Sequence, residues 1–264
     1  MTLEETIRSA NNGNIDSMIS LGRYYHDEKN IDESEKWFQT VMNVYKSNNI
    51  AADDRLAEAS YEMASIKRLR LIVEIQLMGN IRDCEQQVYD FYNAGVNMLN
   101  VFRSQPQLMN GHEGQIAEMF SEAAYQLSFY YYMLKDYNSA LKYIPGIETK
   151  KAKILYANCL KYKVNQPEDW VKFYNIAKVF ENDIEYANTV KERLEEVLYA
   201  DCMFSYSVLL NSGMGQWISP SVERSYNVLT MVNNNLKVES MKNNYLQMLS
   251  HYKRTAFGKL IYEK

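Results

Sequence analysis

The 264-residue sequence predicts an all-α chain assembled from repeated antiparallel helix hairpins, and three observations carry that expectation. Only 4 Pro and 10 Gly interrupt the chain, fewer than a fold of many strands and tight turns requires, and the residues between them are rich in helix formers such as Leu, Met, Ala, Glu and Lys. Apolar and small residues recur at helical spacing in paired segments separated by short polar breaks. One such pair, Asn11 to Val41, has the pattern of a unit that cannot bury its apolar face alone and must stack on neighbours.

Taken in order, Thr6 to Asn14 reads as the closing helix of a half unit that caps the array. The first full unit, about 11–46, places Leu21, Gly22 and Tyr25 within one turn of each other, and Ser34, Trp37 and Phe38 on a second helix. Gly22 and Ser34 let two helix backbones approach, while Leu21, Tyr25, Trp37 and Phe38 fill the space beside that contact. A longer pair follows at about 52–103, where Leu56, Tyr61, Met63, Ala64, Ile66 and Leu69 keep helical spacing and Gly79-Asn80 ends the first helix. Pro106, Gly111 and Gly114 mark a loop over 104–114.

The third unit, 113–146, repeats the first-helix pattern with Ala123, Leu127 and Tyr131, turns at Lys135-Asp136-Tyr137, and returns through Ala140, Leu141, Tyr143 and Ile144 before Pro145-Gly146. In the fourth, 151–182, Tyr156, Ala157 and Leu160 face Trp170, Phe173, Tyr174 and Ala177, and Pro167 with Glu168 and Asp169 suits the first turn of the second helix. The fifth, 190–234, sets Tyr206, Ser207 and Leu210 before Gly213-Met214-Gly215, with Ser225, Val228 and Leu229 on the return helix. Residues 236–264 read as one amphipathic capping helix with Leu246, Leu249, Tyr252, Phe257, Leu260 and Ile261 as core contacts. The whole chain, 1–264, is expected to be a single repeat domain.

The Leu-Gly pair and Tyr of one helix, set against a small residue and an aromatic pair on the next, resemble the Sel-like repeat, a relative of the tetratricopeptide repeat. Gly213-Met214-Gly215 adds to that likeness, and the segment 123–146 is the most tetratricopeptide-like. The resemblance implies a right-handed α-α superhelix, or solenoid. It also implies a non-catalytic adaptor that binds another protein or a peptide through the concave face made by successive first helices. The alternative it allows is a peptide-sensing regulatory module that closes around a small ligand peptide.

The net charge of -4 comes from 29 basic and 33 acidic residues without a long run of either sign, so neither nucleic acid nor an anionic membrane is an expected partner. Residues 1–10 carry Glu4 and Glu5 and no apolar run, which predicts no secretory leader. No stretch approaches the roughly 20 apolar residues of a membrane span. A cytoplasmic location follows as the default. Cys84, Cys159 and Cys202 are odd in number, far apart and set in helical patterns, which predicts buried thiols rather than disulfides or a zinc site.

Catalytic signals are scarce. His26, His112 and His251 have no Cys or carboxylate at metal-ligand spacing, and Gly213-Met214-Gly215 is followed by neither a third glycine nor a Lys-Ser/Thr pair. No enzyme activity, cofactor or metal is expected. The 22 tyrosines point instead to a binding surface, because Tyr130, Tyr131 and Tyr132 project about 100° apart and cannot share one seam. If Tyr131 is the core tyrosine of its unit, Tyr132 faces the concave side with Phe129 and Tyr125. First-helix places in other units hold Ile19, Arg23 and His26, then Ile154, Asn158 and Lys161, then Phe204, Val208 and Asn211. The expected peptide-binding residues are Arg23, Tyr125, Phe129, Tyr132, Asn158 and Lys161.

Overall fold

The structure, a computed structural model, describes residues 2–144, 148–163, 166–189, 193–255 and 258–263. The chain is all-α: 78% of it is helical, with thirteen α-helices and one small hairpin among the described residues. It divides into two compact units, Met1–Lys135 and Asp136–Lys264, where the sequence reading took it as one array. The division falls at the turn of the third expected hairpin.

The first unit consists of α1 (Leu3–Asn11), α2 (Ile15–Asp27), α3 (Ile31–Ser47), α4 (Asp54–Met78), α5 (Glu85–Ser104) and α6 (Glu113–Met133). Each helix packs on the next, and α2 with α4 and α4 with α6 also meet. The starts are chemically marked: the side chains of Asn14, Asn30 and Asp53 accept hydrogen bonds from first-turn N–H groups of α2, α3 and α4. Gly79 ends α4 in the left-handed conformation, φ +71°, which its missing side chain permits.

The seam of the first hairpin follows the sequence pattern. Ser34 Oγ donates to the Gly22 carbonyl at 2.9 Å, and Phe38, fully buried, lies so close that a Cβ on Gly22 would sit 2.7 Å from its ring. Leu21 is fully buried and Trp37 is 8% exposed. On α4, Met63, Ala64 and Ile66 join the core, but Leu69 is 42% exposed. It lies on the side of α4 that turns away from the buried Ala64 and Leu71, off the core stripe.

The second unit contains α7 (Tyr137–Tyr143), α8 (Lys150–Lys163), α9 (Pro167–Ala177), α10 (Ile184–Thr189), α11 (Arg193–Ser212), α12 (Val222–Asn235) and α13 (Glu239–Leu249). Pro167 stands in the first turn of α9, as its fixed φ favours. Tyr206, Ser207, Leu210, Ser225, Val228 and Leu229 are all buried, and Ser225 Oγ donates to the Ser207 carbonyl at 2.7 Å. Glu196, buried on α11, accepts from the backbone N–H groups of Lys237 and Val238 and so fixes the approach to α13.

The expected capping helix over 236–264 is corrected. The helix stops at Leu249, and strands β1 (Tyr252–Arg254) and β2 (Leu260–Tyr262) pair antiparallel, Tyr252 opposite Tyr262. Gly258 takes φ +77° in the connecting turn, a conformation that a helix cannot contain and that Gly adopts freely. Tyr252 is buried, whereas Leu246 is 51% exposed. Pro145, Gly146 and Phe257 lie outside the described residues.

Candidate functional site

The six expected binding residues fall into both units: Arg23, Tyr125, Phe129 and Tyr132 in the first, Asn158 and Lys161 in the second. Their placement corrects the expectation that they form an open trough. Tyr125 and Phe129 are 5% and 6% exposed. Their rings stack 6.1 Å apart, and Phe129 stacks on the half-buried Tyr132 at 6.3 Å, so the three cover one another along α6. Within the tyrosine run it is Tyr130 that is buried, while Tyr131 is half-buried and hydrogen-bonded through its hydroxyl to Tyr89 of α5.

Asn158 and Lys161 are tied to α11 rather than turned to solvent. Asn158 is fully buried and donates from Nδ2 to the Leu198 carbonyl at 2.8 Å. Lys161 pairs with Asp201, which also accepts from the Tyr162 hydroxyl at 2.8 Å, and its ammonium lies 4.3 Å from the Tyr162 ring centre. Arg23 makes a bidentate pair with Glu58 of α4 and stays largely exposed. These polar residues therefore join one first helix to the next, as rungs between α2 and α4 and between α8 and α11. Tyr125, Phe129, Asn158 and Lys161 are thus packed or paired where the sequence reading had them exposed, while Arg23 stays largely exposed.

Each unit holds an open cleft beside its helices. In the first unit Asp54, Glu58 and Tyr61 of α4 face Phe102, Gln115 and Ile116 across about 340 Å³. In the second, Phe204, Val208 and Asn211 of α11 form one wall of a cleft of about 590 Å³, opposite Asn244, Gln247 and Met248 of α13, with His251 and Tyr262 at one end. Phe204, Val208 and Asn211 are the three first-helix positions that the repeat register assigned to the fifth unit. Val208 is 42% exposed there.

The chemistry of the larger cleft is that of a recognition surface. Its lining combines the apolar Phe204, Val208 and Met248 with the amides of Asn211, Asn244 and Gln247, and the Asn211 Oδ1 atom is buried with no hydrogen-bond donor. A buried carbonyl oxygen without a donor is costly.

Several charged groups elsewhere in the second unit are already engaged. Arg224 of α12 donates to both oxygens of Glu181 at 2.6 Å and to the Tyr206 hydroxyl at 3.0 Å. The Arg224 hydrogen bonds, overcoming burial and helped by Tyr206, hold the Glu181 carboxyl below the usual carboxylate range. Burial pushes the Cys159 and Cys202 thiols up to about 12, so neither is a thiolate near neutrality. Among the described residues no three His, Cys, Asp or Glu side chains are grouped to hold a metal ion, and no helix is long and apolar enough to cross a membrane.

No protein-family model matches the chain, and comparison with curated proteins finds no match.

Proposed function

We propose that this chain is a non-catalytic adaptor of Sel-like or tetratricopeptide-like hairpins, coiled into a right-handed superhelix, that binds a peptide segment of another protein. The cleft between α11 and α13 is the binding site in this reading, and one observation carries it. The first-helix positions Phe204, Val208 and Asn211 line an open cleft of about 590 Å³ that sets apolar side chains beside the amides of Asn244 and Gln247. An extended peptide would lay apolar side chains on Phe204, Val208 and Met248 and take register from the Asn244 and Gln247 amides. Its energy would come from a few apolar anchors. The ties that hold Lys161 to Asp201 and Arg224 to Glu181 support a structural rather than a catalytic use of those charges.

The test is a random-peptide library panned against the purified chain and against Val208→Glu, whose new carboxylate would occupy the cleft floor. Peptides should enrich on the natural chain and fail to enrich on the variant while both melt at closely similar temperatures. Equal enrichment on the two would place the binding surface elsewhere.

A further inference from the structure

The cleft of the first unit carries charge in its own lining. Asp54, Glu58 and Tyr61 stand four and then three residues apart on α4, so they project from one face of the helix, and all three line the cleft. Ala57, between them, is buried and adds only a methyl group. Phe102 of α5 and Ile116 of α6, 6% and 1% exposed, supply apolar lining, and Leu108 adds to it from the short 3-10 turn Pro106–Met109. His112 and Gln115, at the start of α6, complete the cleft.

The two carboxylates are committed to different degrees. Glu58 receives the forked guanidinium of Arg23 on both oxygens. Each carboxylate oxygen keeps a second lone pair, so Glu58 can accept a further N–H but has no open side for a second fork. Asp54 has no ion-pair partner among the described residues, the neighbouring Arg55 being turned to Asp53 and Asp16. No Lys or Arg lines the cleft, and His112 is its one basic side chain. Arg23 therefore offsets one of two negative charges, and the other stands beside apolar walls. At about 340 Å³ the space suits one long side chain and not a helix. A cation on an apolar stem meets both properties, its methylenes on the hydrocarbon lining and its charge at the carboxylates.

We propose that this cleft binds the side chain of a lysine presented by an extended peptide, with the stem on Phe102, Leu108 and Ile116 and the ammonium between Asp54 and Glu58. The three N–H donors of an ammonium can divide among Asp54, the open lone pairs of Glu58 and the Gln115 carbonyl oxygen. The planar arginine fork is matched to one carboxylate in a bidentate pose, which Arg23 already occupies at Glu58. The site lies within the first unit and does not rest on the reading of the cleft between α11 and α13.

The probe is an acetylated, amidated Gly-Gly-Lys-Gly-Gly peptide titrated against the full, isotopically labelled chain by nuclear magnetic resonance in about 0.15 M salt, where long-range attraction is largely screened. Saturable shifts are expected, with affinity weakened several-fold by Asp54→Asn and by Glu58→Gln and roughly ten-fold or more by the two together. The Nε-acetyllysine counterpart keeps the stem, lacks the charge and should not bind. Glu118→Gln removes an exposed carboxylate of α6 outside the cleft and should leave binding unchanged. Asp54 is exposed and the capping Asp53 is retained, so Asp54→Asn should melt like the natural chain and gives the reading alone if Glu58→Gln does not. Failure of the natural chain to bind, unchanged binding by Asp54→Asn, equal binding of the acetyllysine peptide, or an equal loss in Glu118→Gln would overturn the proposal. Tighter binding of the arginine counterpart or of free putrescine would also overturn it, since the cleft would then be reading a guanidinium or a diamine and not a peptide lysine.

Discussion

The hairpins α2/α3 and α11/α12 make the same interhelix hydrogen bond with different neighbours around it. Ser34 donates to the carbonyl of Gly22, twelve residues earlier, and Ser225 to that of Ser207, eighteen residues earlier. In the first hairpin the absence of a Cβ lets the Phe38 ring rest on the Gly22 backbone. In the second, Ser207 keeps its side chain and the smaller Leu229 stands in the place of Phe38. What the two share is a small residue that exposes a carbonyl and a serine that meets it; the surrounding volume is traded between glycine with an aromatic and serine with an aliphatic residue. The extra residues of the second hairpin go into the loop that carries Trp217.

That comparison is broken most severely at Trp37, which has Val228 as its counterpart. Trp37→Ala should cost about 3–5 kcal/mol in chemical denaturation, because it empties the largest side chain from a seam in which it is only 8% exposed. Its indole Nε1 is buried without an acceptor, so no hydrogen bond is lost to add to that figure. An unchanged midpoint would mean that the first hairpin closes without Trp37, unlike the volume-filling seam described above.

A second contrast separates the two arginines that tie helices together. Arg224 holds the largely buried Glu181, whose side chain is 13% exposed, while Arg23 holds Glu58 from a position that is 61% exposed. Arg224→Met should cost about 3 kcal/mol because it strands a carboxylate, and Arg23→Met less than about 1 kcal/mol because water screens the pair. The Arg224 contribution depends on pH in a defined direction. Glu181 is depressed in the folded state, so the stabilisation is complete above the unfolded carboxylate value, about 4.3, and is lost as pH falls through the lower folded value. Melting curves of the natural chain and Arg224→Met should therefore converge in acid. A constant difference down to pH 2 would show that packing, not charge, carries the effect.

Much of the helix pattern was legible because caps and breakers are local. Gly79 and Pro167 act within one turn of where they stand, and each marks a helix end in the structure. Side-chain direction was harder to read. On α6 buried residues from Ile116 to Tyr130 surround much of the helix, so no polar face set the register that would have told Tyr130 from Tyr131. Asn158 and Lys161 look like surface residues in sequence, and only the nearby Leu198 carbonyl and Asp201, some forty residues later, show why they point inward. The C-terminal hairpin was missed although Gly258 signalled a turn, because alternating apolar residues over so short a span fit a helix stripe equally well. Of the cleft between α11 and α13, Phe204, Val208 and Asn211 were readable from the repeat, whereas the opposite wall depended on where α13 ended.

The finest difference between the two hairpins lies in the serines themselves. Ser34 has one interhelix partner, whereas Ser225 bonds both the Ser207 carbonyl and the Tyr252 hydroxyl, the latter at 2.7 Å, and so connects its hairpin to β1. Ser34→Ala should cost about 1 kcal/mol, the net value of one hydrogen bond whose acceptor is a helix carbonyl. Ser225→Ala should cost about 2 kcal/mol, since it also leaves a buried tyrosine hydroxyl without that partner. Tyr252→Phe removes the second contact alone. The cycle of Ser225→Ala, Tyr252→Phe and the double variant isolates the coupling between them, which should be at least about 0.5 kcal/mol for two groups in direct contact. Strict additivity would mean that the C-terminal hairpin rests on α12 through shape alone, and equal costs for the two serine variants would reduce their difference to the loop between the helices.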